Sequence, residues 1–277
     1  MADLNNILLL AQKELRDAAR NRWFLLYAAA FALLSLALSF LGVSGAGRSG
    51  LAGFGRTGAS LINLVILVVP MMGLTVGALS LAGERERGSL LYLLAQPLTA
   101  FEILTGKFLG LALALLAALA TGFGLSGLLI AYQGGTAEAG TYLTLVFLAF
   151  LLALASLSLG FLISALVKKS AAAVGVALFL WLALTFFGDL GLMGTAVVLK
   201  LQVGTLFGLA LANPLQIFKI AAVLKISESL EILGPAGIYA LRTYGNGLLP
   251  LLIGILAVWI TLPGLVTNWV FSRRGGL

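Results

Sequence analysis

Residues 142–167, YLTLVFLAFLLALASLSLGFLISALV, run without a charged side chain until Lys168 and Lys169 close the stretch. A bilayer's hydrocarbon layer is about 30 Å thick and is crossed by about 20 helical residues at 1.5 Å each, so this segment is long enough to span. Its leucines and alanines are continuous instead of alternating with polar residues, which excludes a strand of an outer-membrane barrel. Outward from it, similar apolar runs occupy 24–43, 60–82, 108–132, 171–187 and 248–271. The 277-residue chain is 61% hydrophobic and 10% charged, with a mean hydropathy of +1.12. Soluble domains carry about 25% charged residues. A soluble chain of this length could not enclose half a dozen such helices. The sequence therefore predicts an all-α polytopic membrane protein with six transmembrane helices in a single domain, 1–277.

The segments between the spans carry the polar residues. Residues 4–22 predict an amphipathic helix lying in the membrane interface, with Leu4, Ile7, Leu8, Ala11 and Leu15 on its apolar side and Lys13, Glu14, Arg16, Asp17, Arg20 and Arg22 on the other. Residues 44–59 are rich in glycine and read as a flexible loop. Residues 188–247 are interrupted by Lys200, Asn213-Pro214, Lys219, Lys225, Glu228, Glu231, Gly234-Pro235 and Arg242. They predict an outer, periplasmic helical excursion before the last span, extramembrane or re-entrant. With six spans and the N-terminus inside, 11 of the 17 basic residues fall in inner segments. The positive-inside tendency then predicts that both termini are cytoplasmic.

Several chemistries are excluded. The chain has no cysteine and no histidine, so disulfides and thiolate or imidazole metal sites cannot form within it. Met71 and Met72 are the one adjacent pair of soft ligands in a span. Thioethers favour Cu(I), but neighbouring helical residues point about 100° apart, and the pair reads better as packing. Gly106-Lys107 has the ending of a nucleotide-binding loop, yet Phe101 stands where its leading glycine belongs and Phe108 where its serine or threonine belongs. ATP hydrolysis by this chain is excluded on that ground, and no catalytic residue is expected. The spans are nearly free of ionisable groups, Asp189 being the main exception, whereas ion-coupled carriers place such groups in the bundle. No basic patch stands on a soluble module, so nucleic acid is not an expected partner.

The segment GERERGSLLYLLAQPLTAFEILTGK, 83–107, is the most informative. Glu84, Arg85, Glu86 and Arg87 alternate in sign directly after span 2, and Gly88 then precedes the apolar run Leu90–Leu94. Gln96-Pro97 ends that run, and Thr99–Lys107 leads back to the bilayer. The pattern predicts a short helix across the cytoplasmic face that docks on a soluble partner, with Glu and Arg forming interfacial pairs that set register.

The extended stretch 83–110 resembles the coupling region of ABC-2 permeases of ABC transporters. Glu86, Arg87, Gly88, Pro97, Gly106 and Lys107 match the family's pattern at their positions between spans 2 and 3. Residues 13–27, KELRDAARNRWFLLY, are similar to that family's interfacial connecting helix. The wording of 13–41 and 83–110 also resembles the permeases of nitrous oxide reductase maturation systems. The resemblance implies a homodimer in membrane lipid, bound to two cytoplasmic ABC ATPase subunits that hold ATP and Mg. It implies, too, a periplasmic copper-binding maturation subunit, for which Lys219, Lys225 and Glu228 in the outer excursion are the expected contacts. Glu84, Arg85, Glu86, Arg87, Gly88, Pro97 and Lys107 become the expected ATPase-coupling residues, and no cofactor is expected in this chain. The expected function is export of a sulfur species for a copper-sulfide centre, or transmission of ATPase-driven motion to the outer subunit. An ABC-2 exporter of a drug, lipid or polysaccharide has the same architecture. A secondary carrier and a membrane scaffold are the readings outside the family.

Overall fold

A computed structural model describes residues 3–44, 50–134, 138–188, 202–226 and 234–273. The described residues are overwhelmingly helical and contain no strand. In chain order the helices are α1 (Leu4–Arg20), α2 (Arg22–Ser44), α3 (Gly50–Glu86), α4 (Ser89–Leu94), α5 (Ala100–Gly134), α6 (Ala139–Leu166), α7 (Ser170–Phe186), α8 (Val203–Leu211), α9 (Pro214–Ile226), α10 (Gly234–Tyr244) and α11 (Leu248–Arg273). Five helices, α2, α3, α5, α6 and α11, are long and apolar enough to cross a bilayer. The 17-residue α7 reaches about 25 Å, the short end of the spanning range. The chain is a multi-pass, all-α membrane protein.

The first two helices are set by short polar side chains. Asp3 caps α1, its carboxylate accepting from the Asn5 amide at 2.9 Å. Asn21 is extended and ends α1, while its side chain accepts from the Trp23 amide at 3.0 Å and starts α2. The buried stripe of α1 is Ile7, Leu10, Ala11, Glu14 and Ala18, whereas Leu4 and Leu8 are exposed. The contact face is thus rotated from the expected one. The cause is α5, whose Gly106 and Gly110 admit α1 so closely that a Cβ on either would lie 2.6 Å from the Cβ of Leu10 or Glu14, respectively.

The pair α3 and α6 forms the centre of the bundle and its most extensive helix contact. A Cβ on Gly77 would lie 2.6 Å from the Leu157 carbonyl oxygen, and one on Gly73 would lie 2.9 Å from the Ser156 Cβ. Such small residues let backbones approach in a setting where lipid supplies no hydrophobic drive between helices. Ser164 of α6 seals the lower crossing by accepting from the amides of Leu81 and Ala82 at 2.9 and 2.8 Å. Gly73 thus meets Ser156, and Gly77 meets Gly160.

One segment differs from the sequence expectation, and the course of a second is decided. Residues 50–59 belong to α3, not to a loop, and residues 45–49 lie outside the described part. Tertiary contact outweighs the poor helix propensity of glycine here: Thr57 is buried where α3 meets Gly42 of α2, and Gly58 lies under Ile226 of α9. Of the two courses left open for 188–247, the described part has the bent, bundle-packed form of a re-entrant or broken span and not an extramembrane one. Helices α8 and α9 form a pair bent by 112°, and α9 buries Leu215, Ile217, Phe218 and Ala221 against α6, α11 and α3. Asn213 makes the bend: its side chain accepts from the Leu215 amide at 2.9 Å and donates to the Leu184 carbonyl at 2.6 Å. Asp189 lies outside the described residues.

Candidate functional site: a charged joint at one end of the bundle

The alternating charges 84–87 occupy the end of α3 and the turn after it, where successive side chains are turned by about 100°. Glu84, Arg85 and Glu86 each meet a different neighbour. Arg85 donates to the carbonyls of Val167 at 3.0 Å and Ser164 at 3.4 Å, closing the C-terminus of α6, where a cation is favoured. Glu86 accepts from the amide of Ser170 at 3.0 Å and from its hydroxyl, so it caps α7. Arg87 is exposed. Within this chain, Glu84, Arg85 and Glu86 thus tie α3 to neighbouring helices.

Glu84 enters a buried ion cluster. The ammonium of Lys107, 0% exposed, stands 2.7 Å from Glu14 Oε1 and 2.9 Å from Glu84 Oε1. Lys13, about half exposed, reaches the same two oxygens at 3.3 and 3.5 Å and Asp17 at 3.6 Å. Burial lowers the Lys13 pKa, but the charges of Glu14 and Glu84 and then Asp17 outweigh it, and the net shift is upward. Three helices, α1, α3 and α5, are thus joined through one lysine. Breaking such a buried pair by removing one partner is costly, about 3–5 kcal/mol, because the remaining charge stays desolvated.

A second tie sits beside the cluster. Thr99 and Glu102 form a capping box at the start of α5: the Thr99 amide donates to Glu102 Oε2 at 2.7 Å, and the Glu102 amide donates to the Thr99 hydroxyl at 3.2 Å. Glu102 Oε1 also accepts from the Asp3 amide at 2.7 Å and from Asn6 at 3.3 Å, fastening the start of α1.

Between the two ties, Gly88 adopts φ 75°, a left-handed conformation that side-chain-bearing residues rarely take, and the chain turns into α4. Leu90 of α4 is buried, whereas Leu91 and Tyr92 are 58% and 80% exposed. Pro97 is exposed in the turn that follows. Of the expected coupling residues, Arg87 and Pro97 therefore face outward, while Lys107 is wholly interior and acts only through Glu14 and Glu84.

The other expected residues are placed differently. Met72 is buried in the core and Met71 is half-buried on the adjacent face. Among the described residues no group of three or more carboxylates is placed to hold a metal ion. Lys219 is half-buried and Lys225 exposed on α9, about 120° apart around the helix, and Glu228 lies outside the described residues. The sequence reading missed Glu14, Glu102 and Gly110 as joint residues. Their signals were present: Glu14 interrupts the spacing Ile7, Leu10, Ala11, Ala18. Thr99 and Glu102 have capping-box spacing, and Gly106 and Gly110 are four apart.

The described residues form a helical membrane bundle with one short helix displayed beyond a cross-braced charged end. The chain matches the family model described as ABC-2 family transporter protein over residues 8–275, and it belongs to that family. A protein of Stutzerimonas stutzeri named "Probable ABC transporter permease protein NosY" is 31% identical over 281 residues, covering 98% of this chain and 99% of that one. A protein of the same name from Pseudomonas aeruginosa is 34% identical over 217 residues, covering 76% of this chain and 79% of the other.

Proposed function

We propose that this chain is the permease subunit of an ATP-driven ABC complex required for copper-site assembly of nitrous oxide reductase. The reading rests on similarity to the two named permeases, nearly full-length for one and over about three quarters of the chain for the other. The single structural observation that supports it is α4, which offers Leu91 and Tyr92 outward from a turn braced on both sides. A partner gripping α4 pushes on a unit that moves α1, α3 and α5 together, because Lys107 and Glu102 join them. In the proposed complex two copies of this chain bind two cytoplasmic ATPases, which hold ATP and Mg, and both termini lie in the cytoplasm of a bacterial inner membrane. On the opposite face a periplasmic copper-binding subunit docks beside α9, where Lys225 is exposed. The cargo is a sulfur species, or the output is motion passed to that outer subunit. A chain without cysteine or histidine and with Met72 sunk in the core suits either better than direct passage of copper.

The test is affinity purification of the tagged chain from its native membranes in mild detergent, with identification of what accompanies it. One ATPase per permease together with a periplasmic copper-binding subunit is the expected result. An ATPase alone favours a general exporter, and a chain purified by itself contradicts the proposal. Leu91→Ser with Tyr92→Ser is expected to lose the ATPase while the bundle stays folded.

A further inference from the structure

Helix α7 is fastened at both ends by side chains of other helices. At its N-terminus the Glu86 carboxylate of α3 accepts from the Ser170 amide at 3.0 Å and from the Ser170 hydroxyl. In its last turn, where carbonyls run short of intrahelical donors, the Leu184 carbonyl accepts from Asn213 Nδ2 at 2.6 Å. Between those ends α7 lies along α3. Ala173 and Ala177 pack with Leu74 and Ala78, all four fully buried, and the Trp181 indole donates to the Leu67 carbonyl at 3.1 Å. Ser170 and Leu184 are separated by about 21 Å of helix, so one short rod reaches from the charged joint to the α8–α9 bend. That bend has the form of a pivot. Helices α8 and α9 meet at 112°, and Asn213 at the corner divides its amide: Oδ1 accepts from the Leu215 amide at 2.9 Å and starts α9, while Nδ2 holds α7. A backbone corner at membrane depth requires its polar groups to be satisfied in this way. Gly188 leaves room for the approach, because a Cβ there would lie 2.9 Å from Asn213 Nδ2. Helix α8 itself packs mainly on α10 and α9, with one further tie from the Trp259 indole to the Leu211 carbonyl at 3.4 Å.

We infer that α7 is a strut that carries displacement of the charged joint to the α8–α9 corner, with the Asn213–Leu184 hydrogen bond as its outer attachment. Coupling between distant sites is carried by contiguous packed and hydrogen-bonded elements, and this route is unbroken. Glu86 holds Ser170, the rod lies on α3, and the Leu184 carbonyl holds Asn213. Movement of the α3 end therefore takes the corner with it, and α8 turns about Asn213. The inference concerns the chain's own movement and depends on neither an ATPase partner nor any cargo, so it can fail while the permease reading stands.

The experiment takes the purified full chain in lipid nanodiscs and reads amide hydrogen exchange over residues 203–212 by mass spectrometry. Asn213→Ser keeps a short acceptor able to cap α9 but cannot reach Leu184. Loss of that one bond is expected to raise exchange in 203–212 about fivefold. Glu86→Ala, at the far end of the strut, is expected to raise the same exchange in the otherwise wild-type chain and to add nothing in the Asn213→Ser chain. Ser170→Ala, which removes only the hydroxyl donor, is expected to give the same pattern and guards against a general loosening by Glu86→Ala. Exchange in 203–212 left unchanged by Asn213→Ser overturns the inference. So does a Glu86→Ala effect confined to the start of α7, or one of equal size in both backgrounds, which would place the route elsewhere than through Asn213.

Discussion

Replacing Lys107 by methionine keeps the length of the side chain and removes its charge. The structure sets the size of the effect. Lys107 is fully buried and touches two carboxylates, at 2.7 and 2.9 Å, each in a residue 7% exposed. Without it, Glu14 and Glu84 keep only Lys13, which is half exposed and stands at 3.3 and 3.5 Å. A buried pair broken from one side costs about 3–5 kcal/mol; the residual Lys13 contact places this variant toward the lower figure. For a protein of this size that corresponds to a fall in melting temperature on the order of 10 °C. The assay is thermal unfolding in detergent of Lys107→Met, Glu84→Gln and the double variant. Because charge left unpaired causes the loss, the double variant is expected to be more stable than Lys107→Met alone. Additive losses, or a Lys107→Met melting temperature equal to wild type, would refute the buried-joint reasoning.

Gly77→Leu drives a side chain into the Leu157 carbonyl and is expected to cost at least the 1–3 kcal/mol typical of overpacking, seen as lost monodispersity in size-exclusion chromatography. Thr99→Ala removes the cap of α5 and is expected to cost about 1 kcal/mol, with faster amide exchange confined to residues 96–106 and the start of α1. Lys13 has a raised pKa, so the stability it contributes is fully present below its ordinary value of 10.5 and is lost as pH rises through its higher folded value. The melting temperature of wild type is thus expected to fall more steeply at alkaline pH than that of Lys13→Met. Parallel curves would count against that contribution. Met71→Leu with Met72→Leu is expected to leave copper-site assembly intact, measured as the visible spectrum of the reductase matured in cells.

The membrane class was legible because apolar runs such as 142–167 are a physical requirement of the bilayer, independent of neighbours. The α3–α6 crossing was half legible: small residues at 73, 77, 156 and 160 mark close faces, but only the assembled bundle pairs them. The joint was less so. Alternating signs at 84–87 read as a solvated, partner-facing run, because a sequence does not reveal which helix stands beside each side chain. Lys107 carried a membrane-boundary signal and turned out to be interior, since Glu14, far away in sequence, arrives on α1 to neutralise it. The region 188–247 was partly legible: its mixed polarity left an extramembrane and a re-entrant course open, and only the contacts of Asn213, which fold α8 and α9 back so that α9 enters the bundle, distinguish them.

The most direct test of the account is whether nucleotide moves α4 as one body with the joint. The chain has no cysteine, so in the proposed complex of two copies with cysteine-free ATPase subunits, spin labels at Ala95→Cys, the exposed C-terminal cap of α4, report that helix without replacing Leu91 or Tyr92. The account predicts that trapping ATP shifts the distance between these labels, and that Lys107→Met uncouples this shift from a matching one at a label on α1. Labels that stay fixed with and without nucleotide, in a complex that binds its ATPase normally, would contradict it and leave the chain a scaffold.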